Sequence, residues 1–304
     1  MPEPVINVRD LRKSYGELEA VRGIDLDVHR GEVFAFLGPN GAGKTTTTEI
    51  LEGYRERSGG HVSVLGEDPA SAARPWRERI GIVLQQNKLD PHLTVRESLS
   101  LYAGYYQAPR PVDEVIELIG LGGKSEARTN RLSGGQQRRL DVGIALVGNP
   151  ELLFLDEPTT GFDPSARRQA WRVISGLRDL GKTIFLTTHY MDEAQFLADR
   201  AAIIVAGAVV AEGRPDELGR KTGADTEIRF RLPAGIDPAD LPLAALEVNG
   251  DRMVTIRTGE PVRTLNELTG WALRREVELV GLDVGRPSLE DVYLELTAEA
   301  GNAE

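Results

Sequence analysis

The sequence has no cysteine and few histidines among its 304 residues. The absence of cysteine excludes disulfide bonds, cysteine-ligated zinc and thiol catalysis. The four histidines are scattered along the chain and form no ligand cluster; they are His29, His61, His92 and His189. Long hydrophobic runs are also lacking. The longest nearly uncharged apolar run, Ala201–Ala211, is about half as long as a membrane-spanning helix and contains Gly207. We therefore expect it to form a β-hairpin, and a membrane role would require a partner.

Basic residues are outnumbered by acidic ones, 36 against 47, which gives a formal charge of −11 and a pI near 5.1. Proteins that bind nucleic acid normally present a basic face to the phosphate backbone. The charge therefore predicts that nucleic acid is not a partner. The length suffices for one large domain and a small one.

Strands and helices alternate along the first two thirds of the chain. Alternation of this kind predicts an α/β domain over residues 1–220 with a largely parallel sheet, interrupted by a helical subdomain at about 88–148. The predicted strands are Val5–Arg12, Glu19–Val28, Glu32–Leu37, His61–Leu65, Ile80–Leu84, Leu152–Leu155 and Thr183–Thr187, and the main helices outside the subdomain are Pro164–Leu180 and Met191–Ala198.

The pattern changes near residue 221, and residues 221–304 read as a small α+β domain. Strands are predicted at Ile228–Leu232, Met253–Arg257 and Val277–Val284. One helix would bury a face made of Val262, Leu265, Leu268 and Trp271 or Ala272, and a last helix would cover 288–297.

A glycine-rich loop, GPNGAGKT, follows the apolar strand EVFAFL and precedes a helix, the context that a phosphate-binding loop requires. Its backbone N–H groups would turn inward on phosphate groups at a helix N-terminus. Lys44 would reach the β- and γ-phosphates, and the Thr45 hydroxyl would bind Mg²⁺. The predicted nucleotide-binding residues are Gly38, Pro39, Asn40, Gly41, Ala42, Gly43, Lys44, Thr45 and Thr46.

Two carboxylates follow the buried strand of ELLFLDEP, where parallel sheets place their chemistry. Asp156 would hold Mg²⁺, and Glu157 would orient and deprotonate the attacking water, as a general base does.

A second glycine-rich turn, LSGGQ, begins another predicted helix at Gly134–Leu146. Ser133 would cap this helix, whose N-terminus forms a second anion site. One nucleotide site does not need two such turns.

Together these motifs resemble the nucleotide-binding subunits of ATP-binding cassette (ABC) transporters. The resemblance spans Val5 to about Leu218, and LSGGQ is its most specific motif. It implies a parallel core sheet, an antiparallel β subdomain and an inserted helical subdomain. It also implies a dimer in which two copies enclose two ATP molecules, so that Ser133, Gly134, Gly135 and Gln136 contact the nucleotide of the partner subunit.

The resemblance assigns further roles. Gln85 would contact Mg²⁺ and the water, with Gln86 leaving the register open. His189 would bind the γ-phosphate, Asp163 would bridge the two active sites, and Tyr15 would stack on adenine. Phe162 stands where the family usually has leucine.

In the family, a groove in the helical subdomain receives a helix of a membrane subunit. We expect most of the local apolar residues to be subdomain core, with one or two lining the groove; they are Leu93, Val95, Leu101, Tyr102, Tyr105 and Tyr106.

The tail SLEDVYLELT resembles that of drug-exporter ATPases of the daunorubicin-resistance type. An efflux subunit at the cytoplasmic face of the membrane, held by a separately encoded permease, is therefore expected. The alternatives are the ATPase of an importer and a soluble cassette without a transport role.

Overall fold

The structure is a computed structural model that describes residues 4–84, 89–221, 226–233, 235–243, 247–249, 251–285 and 293. The chain forms two compact units, Met1–Pro215 and Asp216–Glu304. The division lies at the start of a short helix rather than at residue 220, after which the sequence predicts the second domain.

Nine described strands and seven described α-helices build the first unit. The strands are β1 (Pro4–Tyr15), β2 (Leu18–His29), β3 (Val33–Leu37), β4 (Gly59–Val64), β5 (Ile80–Val83), β6 (Leu152–Asp156), β7 (Thr183–Thr188), β8 (Arg200–Val205) and β9 (Ala208–Gly213). The helices are α1 (Lys44–Leu51), α2 (Arg74–Arg77), α3 (Val95–Ala103), α4 (Val112–Leu118), α5 (Gly134–Val147), α6 (Pro164–Asp179) and α7 (Met191–Leu197).

The strands of the first unit form two sheets. One has the order β5-β6-β7-β3-β8-β9 and is parallel except for β9, which pairs with β8 as the predicted hairpin. The other is antiparallel, with the order β2-β1-β4. Both the parallel core and the antiparallel subdomain implied by the family resemblance are thus confirmed.

The central strands supply two hydrophobic cores because successive side chains point to opposite faces of a sheet. Along β7, Phe185 joins the core shared with the antiparallel sheet, whereas Ile184 and Leu186 join the core shared with the helices. A strand buried on both faces reads as a continuous apolar run, which is why VFAFL and LLFL are so conspicuous in the sequence.

The helices α3, α4 and α5 pack around the second core. Thr94 caps α3 through a capping box with Glu97. The expectation that most of the six apolar residues here are core is wrong. Val95 is buried and Tyr106 packs half-buried against the core, but Tyr105 is 62% exposed, and Leu101 and Tyr102 are also exposed. They lie on or just beyond the outer face of α3, which the spacing alone does not distinguish from its buried face.

Helix α8 (Pro215–Lys221) begins at the last residue of the first unit, and the second unit continues as an antiparallel sheet of four described strands in the order β11-β12-β10-β13. Their bounds are β10 (Thr226–Arg231), β11 (Glu247–Val248), β12 (Met253–Thr258) and β13 (Val280–Gly285), and α9 covers Pro261–Arg275. Leu268, Trp271 and Ala272 of α9 pack against the sheet strands β10 and β12.

Two predictions for this unit need correction. Val262 is 81% exposed because it lies in the first turn of α9, outside the buried stripe. The strand predicted from Val277 begins at Val280. The helix predicted over 288–297 lies outside the described residues except for Tyr293.

Candidate active site

The phosphate loop joins the fully buried strand β3 to α1 and is pressed against neighbouring backbone. A Cβ on Gly38 would lie 2.4 Å from the carbonyl oxygen of Ile204, and one on Gly43 would lie 2.6 Å from that of Ala20. Gly43 also has a φ of +103°, a conformation that side chains disfavour. Glycine is therefore required at both ends of the loop for it to take this shape.

Lys44 is buried at the base of this loop. Its Nζ donates to the carbonyl oxygens of Gly38, at 2.7 Å, and Pro39, at 3.0 Å. Burial lowers the pKa of the Lys44 ammonium, and the carboxylates of Glu157 and Asp156 partly offset this effect. The loop thus holds a buried, poorly hydrated positive charge at its base.

The two predicted carboxylates lie at the carboxyl end of β6. The Thr187 hydroxyl donates to Asp156 Oδ1 at 2.5 Å. The carboxylate of Glu157 lies 3.3 Å from Nδ1 of His189 and accepts from the Thr160 hydroxyl at 3.1 Å. The Asp156 side chain is therefore bonded to Thr187, and the Glu157 side chain contacts both His189 and Thr160.

A cleft of about 360 Å³ brings the phosphate loop and these carboxylates together. Its described lining is Ala20, Asn40, Gly41, Gly43, Lys44, Thr45, Thr46, Asp156 and Glu157. All but Ala20 are predicted site residues. Gly38, Pro39 and Ala42 belong to the loop but do not line this cleft.

The second glycine-rich turn caps α5. The N–H of Gln136 donates to Ser133 Oγ at 3.3 Å, and the N–H of Ser133 donates to Gln136 Oε1 at 2.9 Å. Ser133, Gly134 and Gly135 line a different cavity, of about 1150 Å³, which Phe162, Asp163 and Glu157 also line. Within one chain the described signature residues are therefore absent from the lining of the phosphate-loop cleft.

Comparison with known proteins identifies the family. A family model described as "ABC transporter" matches residues 21–160, and one described as "ABC transporter domain-containing protein-like, C-terminal domain" matches 226–288. The daunorubicin resistance ATP-binding protein DrrA3 of Streptomyces coeruleorubidus is 37% identical, over 98% of each chain. The Nod factor export ATP-binding protein I of Burkholderia orbicola is 44% identical, over 96% of each chain. The chain belongs to the ATP-binding subunits of the ABC transporter family.

Solved structures agree with this assignment. CbiO1 of Clostridium perfringens, described as part of the ABC transporter complex cbiONQ, is 30% identical, with a TM-score of 0.67 over 72% of this chain and 92% of its own. The cassette MJ0796, solved in a post-hydrolysis state with ADP and Pi, is 26% identical, with a TM-score of 0.61 over 69% of this chain and 98% of its own. The chain is accordingly an ATP-binding ABC ATPase.

Two further predicted residues of this ABC ATPase, Asp163 and Tyr15, lie outside the lining of the phosphate-loop cleft. Asp163 caps α6, where its Oδ1 accepts from the N–H groups of Ser165 at 2.8 Å and Ala166 at 2.9 Å. Tyr15 is exposed at the end of β1, with the Lys13 ammonium 5.2 Å and the Arg55 guanidinium 5.4 Å from its ring centroid.

Gln85 lies outside the described residues, and so does Gln86. The described chain stops at Leu84, directly before them, and resumes at Leu89.

The donor set of the ABC ATPase fits a magnesium ion. Among the described residues, no three His, Cys, Asp or Glu side chains are grouped as a metal site. Asp156 and Thr45 do line one cleft beside the phosphate loop. Mg²⁺ is commonly held by one or two carboxylates together with phosphate oxygens and water. These residues therefore fit an ion that arrives with a nucleotide rather than one held by protein alone.

Sequence reasoning missed three contributors to the site: Ala20, Thr187 and Arg138. The guanidinium of Arg138 donates to the backbone carbonyl oxygens of Asp156, Glu157 and Pro158. The only signal in the sequence is the pair of arginines in GGQQRRL. The acceptors are backbone carbonyl oxygens, which no residue type identifies.

Glu52 was also missed. It is buried at the end of α1, and burial, with repulsion from Asp156 and Glu49, raises its pKa to about 8.

Proposed function

We propose that two copies of this chain bind two ATP molecules between them, and that hydrolysis drives export through a separate membrane permease. The observation that carries this proposal is the separation of the two anion sites. The phosphate loop and the capped turn at Ser133 line different cavities of one chain. A second copy, turned head to tail, would bring its own turn to the exposed γ-phosphate.

In each composite site the chain's own residues bind and orient the reactants. The loop N–H groups and Lys44 would hold the phosphates, and Tyr15 would stack on the base. Thr45, Asp156 and Gln85 would hold Mg²⁺, which supplies charge neutralisation at the β- and γ-oxygens. The contacts that Asp163 makes as a helix cap leave its second carboxylate oxygen to approach the partner.

Glu157 would accept the proton of the attacking water. Its carboxylate is only 11% exposed and is held by Thr160 and His189, so its direction is fixed. His189 would donate to the γ-phosphate from the same position. A positioned base contributes on the order of 10²- to 10⁴-fold in rate.

Export is supported by the relatives. DrrA3 is named for daunorubicin resistance and the Nod factor proteins for export, and these matches cover nearly the whole chain. No helix within the described ranges combines the length and apolarity that crossing a bilayer requires. A permease would supply that part and hold this subunit at the cytoplasmic face.

The exposed side chains Leu101 and Tyr105 in the helical subdomain are the apolar surface that a permease helix would cover. This surface replaces part of the core predicted from the sequence.

The decisive experiment changes Glu157 to Gln. We expect E157Q to bind ATP and accumulate as an ATP-bound dimer while turnover falls at least about a hundredfold. Light scattering at a series of ATP concentrations, together with phosphate release, measures both. Brisk hydrolysis by E157Q would refute the role of the base.

The arrangement in trans is tested by mixing K44A and S133R chains. Only a pairing that leaves one composite site intact restores turnover, so no recovery on mixing would refute the dimer. Transport into inside-out vesicles that contain the permease decides between export and the alternative, import.

A further inference from the structure

Glu157 has an unusual backbone conformation. Its φ is +43°, in the left-handed region that residues other than glycine rarely adopt. Such a conformation is strained and persists only where its surroundings impose it. The direction of the carboxylate therefore depends on what holds the peptide groups on either side.

On the amino side, Thr187 holds this backbone. The N–H of Glu157 lies 3.1 Å from both the carbonyl oxygen and the hydroxyl oxygen of Thr187 in β7. Neighbouring strands of the core sheet thus fix where the residue begins.

Arg138 holds the peptide groups on both sides of Glu157. Nη2 donates to the carbonyl oxygens of Asp156, at 2.6 Å, and Glu157, at 3.4 Å, and Nε donates to that of Pro158, at 3.2 Å. Nη1 donates to the carbonyl oxygen of Leu84 at the end of β5. One guanidinium thus binds three consecutive carbonyl groups centred on Glu157.

Arg138 is only 8% exposed, and burial lowers the pKa of its guanidinium. Carbonyl oxygens arranged around a planar fork compensate for the lost hydration. An ammonium is a point charge and cannot reach the same set of acceptors in a fixed plane.

We propose that Arg138 is a positioning residue that holds the Glu157 base in its own chain's active site. It lies one turn beyond Gly134 on α5, the helix whose first turn would contact the partner's ATP. Docking of that turn is thereby linked to the geometry of the base in the same chain. This inference rests on the proposed function for the site and the dimer.

The first test compares R138K with R139K. Arg139 is the matched control, because it lies on the same helix and donates to the carbonyl oxygens of Ile119, at 3.1 Å, and Gly120, at 2.9 Å, away from the base. We expect R138K to lower kcat about 10- to 100-fold, with ATP affinity within about twofold, because small misplacements of a catalytic group are costly. We expect R139K to retain kcat.

An equal loss of kcat in both variants, or a loss of ATP affinity that accounts for the whole effect in R138K, would overturn the proposal. If R138K does not fold, R138Q, which retains some of the donors, replaces it in the same comparison.

The second test uses mixed dimers and separates positioning in cis from damage to the signature turn. The reference pairs E157Q with the unchanged chain and retains one working base. Adding R138K to the E157Q chain should leave this activity unchanged, because the working base keeps its own Arg138. Pairing E157Q with a chain that carries only R138K should lower it about 10- to 100-fold.

The proposal would be overturned if R138K lowered activity when added to the E157Q chain but not when carried by the other chain. That result would place the effect in the signature turn that contacts the partner's ATP. A reference dimer that hydrolyses no ATP even in a single-turnover measurement would refute the two-chain site instead. The comparison of R138K with R139K would then still decide the role of Arg138.

Discussion

The phosphate loop and the signature turn both begin a helix, yet their first turns differ. α1 follows Gly43 in a left-handed conformation and has no side-chain cap. α5 follows Ser133, whose hydroxyl and partner Gln136 close a reciprocal capping box. At the start of α1 no side chain caps the N–H groups, which remain available to a ligand, and Lys44 lies beneath them. At the start of α5 the capping box already satisfies part of the N–H donors. This is expected of a surface that completes a site rather than holds a ligand alone.

The largest effect should come from removing the positive charge of Lys44 at the start of α1. We expect K44A to weaken ATP binding at least about a hundredfold, because a charge-assisted contact to phosphate is lost in a buried setting. Titration with a fluorescent ATP analogue measures this. Lys182 is the matched control: it is partly buried and bonds the Pro150 carbonyl oxygen at 2.7 Å, away from the cleft. Equal weakening by K182A would contradict the assignment.

The other end of α1 should give the next largest effect, through pH. Below about pH 4.5 the Glu52 carboxyl is protonated in both the folded and the unfolded chain. Between that pH and about 8 the folded chain keeps the proton and the unfolded chain loses it, so Glu52 makes stability fall as pH rises. We expect E52Q to raise the free energy of unfolding at pH 8 by at least about 2 kcal/mol and to have little effect near pH 4.

Denaturant unfolding at several pH values checks the Glu52 prediction. E49Q removes a half-buried carboxylate of the same helix, which pairs with Arg55, and should change stability by less than about 1 kcal/mol. A constant difference between E52Q and the unchanged chain across this range would show that Glu52 is not the titrating group.

The smallest effect should come from removing a helix cap. Comparing the Ser133 cap of α5 with the Thr94 cap of α3 separates a role in turnover from a role in stability alone. S133A should cost about 1 kcal/mol of stability through the lost cap. It should also lower turnover severalfold, with ATP binding by the single chain unchanged. T94A removes the equivalent cap of α3, where the N–H of Glu97 donates to Thr94 Oγ1 at 3.1 Å. It should cost similar stability and spare turnover. A similar fall in turnover for T94A would make Ser133 a cap and nothing more.

The sequence alone predicted the contiguous parts of the site. The phosphate loop, the Asp156–Glu157 pair and the Ser133 cap are local patterns with local causes, namely glycine geometry, strand burial and helix capping. The alternating core strands were predictable for the same reason, since β3 and β6 are buried on both faces.

What could not be predicted depends on distant backbone and burial. Arg138 binds carbonyl groups, which every residue has, so no residue type marks its partners. The raised pKa of Glu52 comes from burial beside Asp156, far along the chain. Val262 and Tyr105 fit apolar spacing but lie where no partner surface covers them within the described chain.

The close contacts of Gly38 and Gly43 have a mechanical consequence. One rests on the backbone of β8 in the core sheet, and the other on that of β2 in the antiparallel sheet. The loop therefore packs closely against the backbone of both sheets. Any shift of the loop on binding a triphosphate would therefore be opposed by the backbone of both sheets at once.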